Sequence, residues 1–531
     1  MIYQIFVDRF NDGDSSNNHG NTRGTYSPAN PGAFHGGDLE GIRQKLDYIK
    51  GMGFNGIWLT PIVENVNSYH GYGAYNWYNV DPNFGTMTKA KQLVDEANAM
   101  GIAIYFDMVV NHCGDLINSS GSGYPSYKTP PASYTLKWRN SLHYPAPFNQ
   151  LSYFHAQGNI GNYVDPEQKL GELSGLDDLQ TETQYVRDNM FSIWQYWMQQ
   201  TGVSGFRIDT VKHVDVAFFE DFLPRLKAES ITEGAQNFYT FGEIYGGDDT
   251  SMSTYLGTMN GGPYKLDGAL DFQFYYQTNG VFATANQPPK NLINRMLNRA
   301  TALPLHNLKM PNWLDSHDQR RFLNLAADNA GSGPAERLRR LDLALVFLFT
   351  APGPPILYYG TEQDFSGGTD PYDREDMFAG QFKSPGLSGS SFITTSPRYI
   401  LVSELGTARA ASAALRRGTM VSRHGATAGP GVLCFSRIYN NEEVIVSMNT
   451  STSSVTQGTF TSTFPEGTVL KDYFAPANTI TIGASGNFPQ VTLAGQEFHL
   501  WEANGGMMTP TQSPTPSPSL TASLTATPME T

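Results

Sequence analysis

Three carboxylates far apart in the chain, Asp209, Glu243 and Asp318, each follow a short apolar run of β character. The runs read Gly205-Phe206-Arg207-Ile208-Asp209, Phe241-Gly242-Glu243-Ile244-Tyr245 and Trp313-Leu314-Asp315-Ser316-His317-Asp318. If these are parallel neighbours in one barrel, the three acids meet at its C-terminal mouth. Gathering like charges costs electrostatic energy, so folding alone does not favour it. Breaking a glycosidic bond requires it: one carboxylic acid protonates the leaving oxygen and one carboxylate attacks the anomeric carbon. Arg207, two residues before Asp209 on the same strand, faces the same side and supplies a counter-charge. A purely structural Arg–Asp pair at a strand end is the competing reading.

Positioning these groups calls for a particular scaffold. Strand-like runs at Ile2–Val7, Gly56–Thr60, Ala103–Val110, Gly205–Asp209, Thr240–Ile244, Ala269–Phe272, Asn312–Asp315 and Ile356–Tyr359 alternate with segments of helical period. In Thr183–Gln199 the residues Val186, Met190, Ile193, Trp194, Trp197 and Met198 fall on one helical face. Eight such units predict an α/β fold, a closed (β/α)₈ TIM barrel formed by residues 1–111 and 177–395. The stretch 112–176, rich in Tyr, Pro, Asn and Ser, reads as a small inserted domain over the mouth after the third strand. From 396 to 503, strand-like pieces separated by Ser/Thr/Gly turns predict an antiparallel β-sandwich. Residues 504–531 are Ser/Thr/Pro-rich and nearly uncharged, and read as a disordered tail.

Composition narrows the function classes. The 531 residues are 40 % hydrophobic and 16 % charged, a globular balance. A net charge of -14 argues against a nucleic-acid partner, which wants a basic face. The most apolar run, Leu343 to Phe349, is cut off by Pro352, so no membrane span is expected. Two cysteines, Cys113 and Cys434, are expected as free thiols. No signal peptide is visible, and the chain opens directly on a strand-like run, so an upstream segment is expected to be missing.

Several separated motifs, in a fixed order, resemble the α-amylases of glycoside hydrolase family 13 over about residues 1–503. They are Gly53-Phe54-Asn55-Gly56-Ile57-Trp58-Leu59-Thr60-Pro61, Asp107-Met108-Val109-Val110-Asn111-His112 and the Gly205 to His213 run. Gly242-Glu243-Ile244-Tyr245, Ser316-His317-Asp318 and Gly353-Pro354-Pro355-Ile356-Leu357-Tyr358-Tyr359-Gly360-Thr361-Glu362 complete the set. The resemblance implies Asp209 as nucleophile, Glu243 as acid/base and Asp318 as the acid that holds sugar hydroxyls. It further implies that His70, Tyr72, His112, Arg207, Lys212, His213, His317, Asp370 and Arg374 contact substrate, Tyr72 by stacking. It implies one or two Ca²⁺ sites. Asn111 and Asp178, with the His213 carbonyl and a carbonyl from residues 165–172, match one. Asp12, Asp14, Asn17, Asn18, Gly36 and Asp38 match the other. The second is not an EF-hand, since Arg23 stands where the loop's glutamate belongs. An Asp/Asn-rich turn without metal competes there.

The expected activity is retaining endo-hydrolysis of α-1,4-glucosidic bonds in starch, glycogen and related α-glucans, by a secreted monomer. Three features bear on the alternatives. Ser316 stands where the family usually has asparagine. Ser174 occupies the position of a bulky aromatic that guides cyclisation in cyclodextrin glucanotransferases. The chain also ends before the further domains those enzymes carry; this and Ser174 favour hydrolysis. Tyr245, an aromatic that transferases use for the acceptor, keeps an α-glucan transferase of the cyclodextrin or maltogenic type open. A non-catalytic carbohydrate-binding barrel is a third reading, against which all three carboxylates and Arg207 argue.

Overall fold

The computed structural model describes residues 1–503 apart from 67, 120–123, 236, 258–264 and 330. The Ser/Thr/Pro-rich stretch 504–531 lies outside the described residues. Seven all-parallel strands form one curled sheet, in the spatial order Gly268–Ala269, Tyr239–Gly242, Gly205–Ile208, Ala103–Met108, Gly56–Leu59, Ile2–Ile5, Ile356–Tyr358. Among the described residues the expected eighth run, Asn312–Asp315, is not a regular strand. Asn312 makes a single parallel bridge to Pro355. Prolines explain the difference: Pro311, Pro354 and Pro355 carry no N–H, so a ladder cannot propagate there. The segment still closes the cylinder. Ile356 N donates to Asn312 O at 2.7 Å, and Asp271 N donates to Pro311 O at 3.0 Å on the other side. The fold is a (β/α)₈ barrel.

Most strands stop one or two residues short of the expected ends. Ile2–Ile5 gives way to a helical turn at Val7–Phe10, and Ala103–Met108 ends before Val109. Asp209 and Glu243 are therefore the first residues past their strands. Adjacent strands approach closely here. A Cβ on Gly205 would lie 1.9 Å from Tyr239 O, so glycine is required for Gly205–Ile208 to pair with its neighbour.

Outer helices cover the sheet. Gln184–Thr201 starts where the Thr183 side chain accepts from Val186 N and ends at Gly202, φ 69°. It buries Val186, Met190, Ile193, Trp194, Trp197 and Met198, the face its period predicts. After the third strand the chain leaves the barrel. Much of this insert is irregular, with one ladder between Ile117–Ser119 and Leu136–Trp138. Buried Asp177 anchors it, accepting from Leu116 N at 2.8 Å and from the Tyr144 hydroxyl at 2.5 Å.

The C-terminal unit is a six-stranded antiparallel sheet with two short antiparallel ladders, Val455–Gln457 with Val491–Leu493 and Phe460–Thr461 with Asn487–Phe488. They enclose an apolar cluster of Cys434, Ile445, Leu470, Ile482, Phe488 and Trp501. Buried Arg437 ties the sheet to the barrel, donating to Thr350 O and Gly418 O. Cys113 and Cys434 are both buried free thiols.

Candidate active site

Arg207 organises the site. It is fully enclosed and its guanidinium meets three carboxyl groups: Nη1 to Asp209 Oδ1 at 2.5 Å, Nη1 to Asp107 Oδ1 at 2.8 Å and Nη2 to Glu243 Oε2 at 2.7 Å. One guanidinium therefore joins the carboxyl groups of Asp209 and Glu243. Register dictates this. The Gly205–Ile208 strand pairs Arg207 with Asp107 on one side and with Phe241 on the other, two residues before Glu243. Side chains two residues apart on a strand share a face, so all four charged groups point into the mouth.

The two acids differ electrostatically. Burial pushes the Glu243 carboxyl up to about 8; Arg207 opposes the shift, and the charges of Asp209 and Asp318 add to it. Glu243 thus carries its proton at neutral pH. Thr210, directly after Asp209, adopts φ 45°, a strained setting for a β-branched residue, and its N–H donates to Glu243 Oε2 at 3.3 Å.

Around this pair sits a shell of neutral imidazoles. Burial pulls His112 down to about 4 and His70 to about 3, and lowers His317 well below its ordinary value. His112 Nε2 lies 3.8 Å from Asp209 Oδ2. His317 Nε2 is 2.7 Å from the Tyr72 hydroxyl and 3.1 Å from Asp318 Oδ2, and its ring stacks on Tyr72. His70 braces Tyr72, whose N–H donates to His70 Nδ1 at 3.2 Å. Asp318 is more open, its side chain 42 % exposed, and Arg374 Nη2 pairs with it at 3.2 Å. Arg374 also holds Asp370 at 2.8 Å and donates to His317 O at 2.9 Å. Lys212 Nζ donates to Tyr245 O at 3.2 Å, and His213 Nδ1 meets Gln168 O at 2.7 Å.

These groups open into a cleft of about 660 Å³ lined by Tyr72, His112, Asp209, Lys212, Glu243 and Asp318, among others. Two functional candidates escape a reading of the sequence alone. Asp107 accepts from Trp58 Nε1 at 3.0 Å and from the Tyr72 hydroxyl at 2.8 Å while pairing with Arg207. Its signal was the first position of the Asp107 to His112 motif. Tyr163, from the insert, lines the same cleft at 57 % exposure, as does the small Ser174. Nothing in its aperiodic surroundings marked it.

The two proposed cation sites lie outside this cluster. In the N-terminal loop Asp38 Oδ2 accepts from Asp14 N and Asn17 Nδ2, and Asp12 Oδ2 accepts from Asn18 Nδ2. Asn17 Oδ1 and Asn18 Oδ1 are buried with no hydrogen-bond partner among the described residues. Gly36, φ 105°, leaves an open cradle: a Cβ there would sit 2.6 Å from Asn18 Oδ1. Orphaned amide oxygens beside three carboxylates suit a hard cation. At the insert, Asn111 Oδ1 is likewise buried and without a partner, next to the enclosed Asp178. Asp178 accepts from Asn111 Nδ2 at 2.9 Å and pairs with His155 Nδ1 at 2.6 Å. His213 Nδ1 meets the carbonyl of Gln168, within the 165–172 stretch. His155, which the sequence did not single out, is a further residue of this cluster. Among the described residues no three His, Cys, Asp or Glu side chains form a metal cluster on their own, so amide and carbonyl oxygens would have to contribute.

A parallel barrel with a carboxylate pair at the C-terminal ends of its strands is an architecture that glycoside hydrolysis can use. The model of the α-amylase catalytic domain matches residues 4–384, and the chain belongs to that family. It is 34 % identical over 464 residues to a β/α-amylase of Paenibacillus polymyxa, covering 86 % of this chain and 34 % of that protein. It is 30 % identical over 471 residues to an α-amylase of Streptomyces lividans, covering 78 % of this chain and 50 % of that one. The chain thus spans about a third to a half of the length of these curated relatives. Among solved structures, an Anoxybacillus α-amylase superposes with a TM-score of 0.76 at 30 % identity, covering 94 % of this chain and 97 % of that one.

Proposed function

We propose that this chain is an α-amylase, a retaining endo-hydrolase of α-1,4-glucosidic bonds in starch-like glucans. The observation that carries the reading is the Arg207 bridge between buried Asp209 and Glu243, and burial holding the Glu243 carboxyl above its ordinary range supports it. In the first step Glu243 gives its proton to the glycosidic oxygen as the C1–O bond breaks. Asp209 Oδ forms the new bond to C1. The Glu243 carboxylate then takes a proton from water, whose oxygen attacks C1 and releases Asp209. Asp318, His112 and His317 would hold hydroxyls of the distorted sugar, with Tyr72 stacked beneath it. Lys212 and His213 would face the leaving group, and Asp370 with Arg374 a sugar further along.

Calcium is part of the proposal. Asp12, Asp14, Asn17, Asn18, the Gly36 carbonyl and Asp38 would hold one ion. Asn111, Asp178 and the His213 carbonyl, with a carbonyl near Gln168, would hold another. Bound there, the cation would pin loops rather than touch the reacting bond. A secreted monomer acting on a polymer fits this reading.

Glu243→Gln tests it. The variant should keep its circular-dichroism spectrum and lose roughly 10²–10⁴-fold in turnover on soluble starch, the usual worth of a general acid. Near-parental release of reducing ends would defeat the assignment. Exposed Tyr163 and Tyr245 on the cleft wall favour a second reading, transfer to a sugar acceptor. Cyclic or lengthened products from maltooligosaccharides would establish it. Starch affinity with no reducing ends released from the parent chain would instead indicate a binding barrel.

A further inference from the structure

Outside the catalytic cleft, a groove of about 430 Å³ runs between the Phe272–Thr278 helix and the Lys290–Ala302 helix. Its size lies in the roughly 300–1,000 Å³ range of ligand sites. Its chemistry is unusual for a helix surface. Gln273 and Gln277 face it from one helix, and Asn291, Asn294 and Asn298 from the other. The last three recur at helical spacing, so they form a continuous stripe. Gln277 Oε1 is buried with no hydrogen-bond partner among the described residues.

Charges in the groove are already committed. Arg295 pairs with Asp249 and Asp271, each at 2.7 Å, and Asp248 caps the Asp249–Tyr255 helix by accepting from Ser251 N. Asn291 Nδ2 donates to Gln287 Oε1 at 2.7 Å, so what remains to meet a ligand is chiefly the carboxamides of Gln277, Asn294 and Asn298. Each amide both donates and accepts, the complement of a neutral molecule with vicinal hydroxyls.

The groove adjoins the loop that leaves the active site. Gln273 Nε2 donates toward Gly246 O and Gly247 O, in the loop just past Glu243 and Tyr245. Buried Phe272 lies between two exposed rings, Tyr245 and Tyr276. Tyr245 packs on Phe272 at 5.0 Å, and Phe272 lies 6.3 Å from Tyr276. Tyr276, 43 % exposed, lies on the same helix as Gln273 and Gln277.

We propose that this groove is a second α-glucan site, holding a chain segment that leaves the cleft past Tyr245, with Tyr276 as its stacking platform. The proposal rests on the α-glucan reading of the active site. Its task is retention of long substrates, not chemistry. Two variants of the full chain test it: Tyr276→Ala, and the double change Asn294→Ala with Asn298→Ala. Alanine favours helix, so the second pair should leave the fold intact.

On soluble starch, KM should rise about three- to tenfold in each variant, in the range of one lost stacking contact for Tyr276 or of lost amide hydrogen bonds for the asparagines. On maltotriose, too short to reach the groove, kcat and KM should stay at parental values. Parental KM on starch in both variants overturns the groove while leaving the hydrolase reading standing. If the parent chain releases no reducing ends, the catalytic reading fails separately. Migration of the Glu243→Gln chain in amylopectin gels, with and without the groove changes, then decides the groove: faster migration with the changes supports it, and unchanged migration overturns it.

Discussion

Replacing Arg207 by methionine is the sharpest perturbation this structure offers. The side chain keeps its apolar stem and loses a guanidinium that pairs with three buried carboxyl groups at 2.5, 2.8 and 2.7 Å. Removing one partner of a buried ion pair costs about 3–5 kcal/mol, because the other charge stays behind unpaired. That is a loss of folding stability; on activity, removing a charge aimed at the reacting carboxyl groups predicts a fall of roughly 10²–10³ in kcat/KM. A pH profile separates this mechanism from simple damage. Glu243 must be protonated to act, so parental activity falls as pH rises through its value of about 8. Arg207 holds that value down. Its loss must therefore carry the alkaline limb to higher pH while the plateau drops. Arg207→Lys retains a positive charge but cannot span three carboxylates at once, so it should fall between the two. The assay is kcat/KM on a maltooligosaccharide from pH 5 to 10, with circular dichroism as the folding control. A limb that stays put or moves to lower pH in the methionine variant would refute the electrostatic argument.

Three further outcomes follow from the same geometry. Glu243→Gln should be more thermostable than the parent, by a margin that widens from pH 5 to pH 8. The folded carboxyl holds its proton more tightly than the unfolded one, so the parent loses stability across that window and the glutamine does not. A melting-temperature series at fixed ionic strength reads it, and a margin independent of pH counts against the shift. Chelation should lower the melting temperature reversibly, since a ligand at 100 times its Kd contributes about 2.7 kcal/mol. Asp12→Ala should shrink that response, and a parent indifferent to EDTA would remove calcium from the proposal. Tyr163→Ser should lower the ratio of transfer to hydrolysis by about two- to tenfold, the scale of one aromatic contact. Product mapping on maltotetraose would show it, and an unchanged ratio would take Tyr163 out of the acceptor path.

The barrel could be read from the chain because period and punctuation survive in a linear sequence. The Gln184–Thr201 helix shows this: its apolar spacing alone named the six side chains it buries. The Asn312 segment shows the opposite case. Its composition is strand-like, yet neighbouring prolines on the facing segment remove the donors a strand needs. That defect belongs to the pair of segments, so neither displays it alone. Asp107 was overlooked for a similar reason. Inside a run such as Ala103–Met108 an aspartate looks like a strand-end residue. Only the register, which sets Asp107 opposite Arg207, turns it into part of the charge network.

That network also explains how like charges can be gathered at one mouth without unfolding it. Asp107, Asp209 and Glu243 do not all have to be charged together, since burial keeps a proton on Glu243 at neutral pH. Arg207 meets the remaining charge from a position its strand register enforces. The surrounding histidines stay neutral, so they add hydrogen-bonding capacity without competing for the carboxylates. Catalysis needs one acid protonated and its neighbour charged, and the same arrangement is the cheapest way to bury the cluster. On the proposed mechanism, the state that folding favours is also the state that begins the reaction. A change that destabilised it, as at Arg207, should disturb stability and the pH limb together, while a change at Tyr163 or Tyr276 should touch neither.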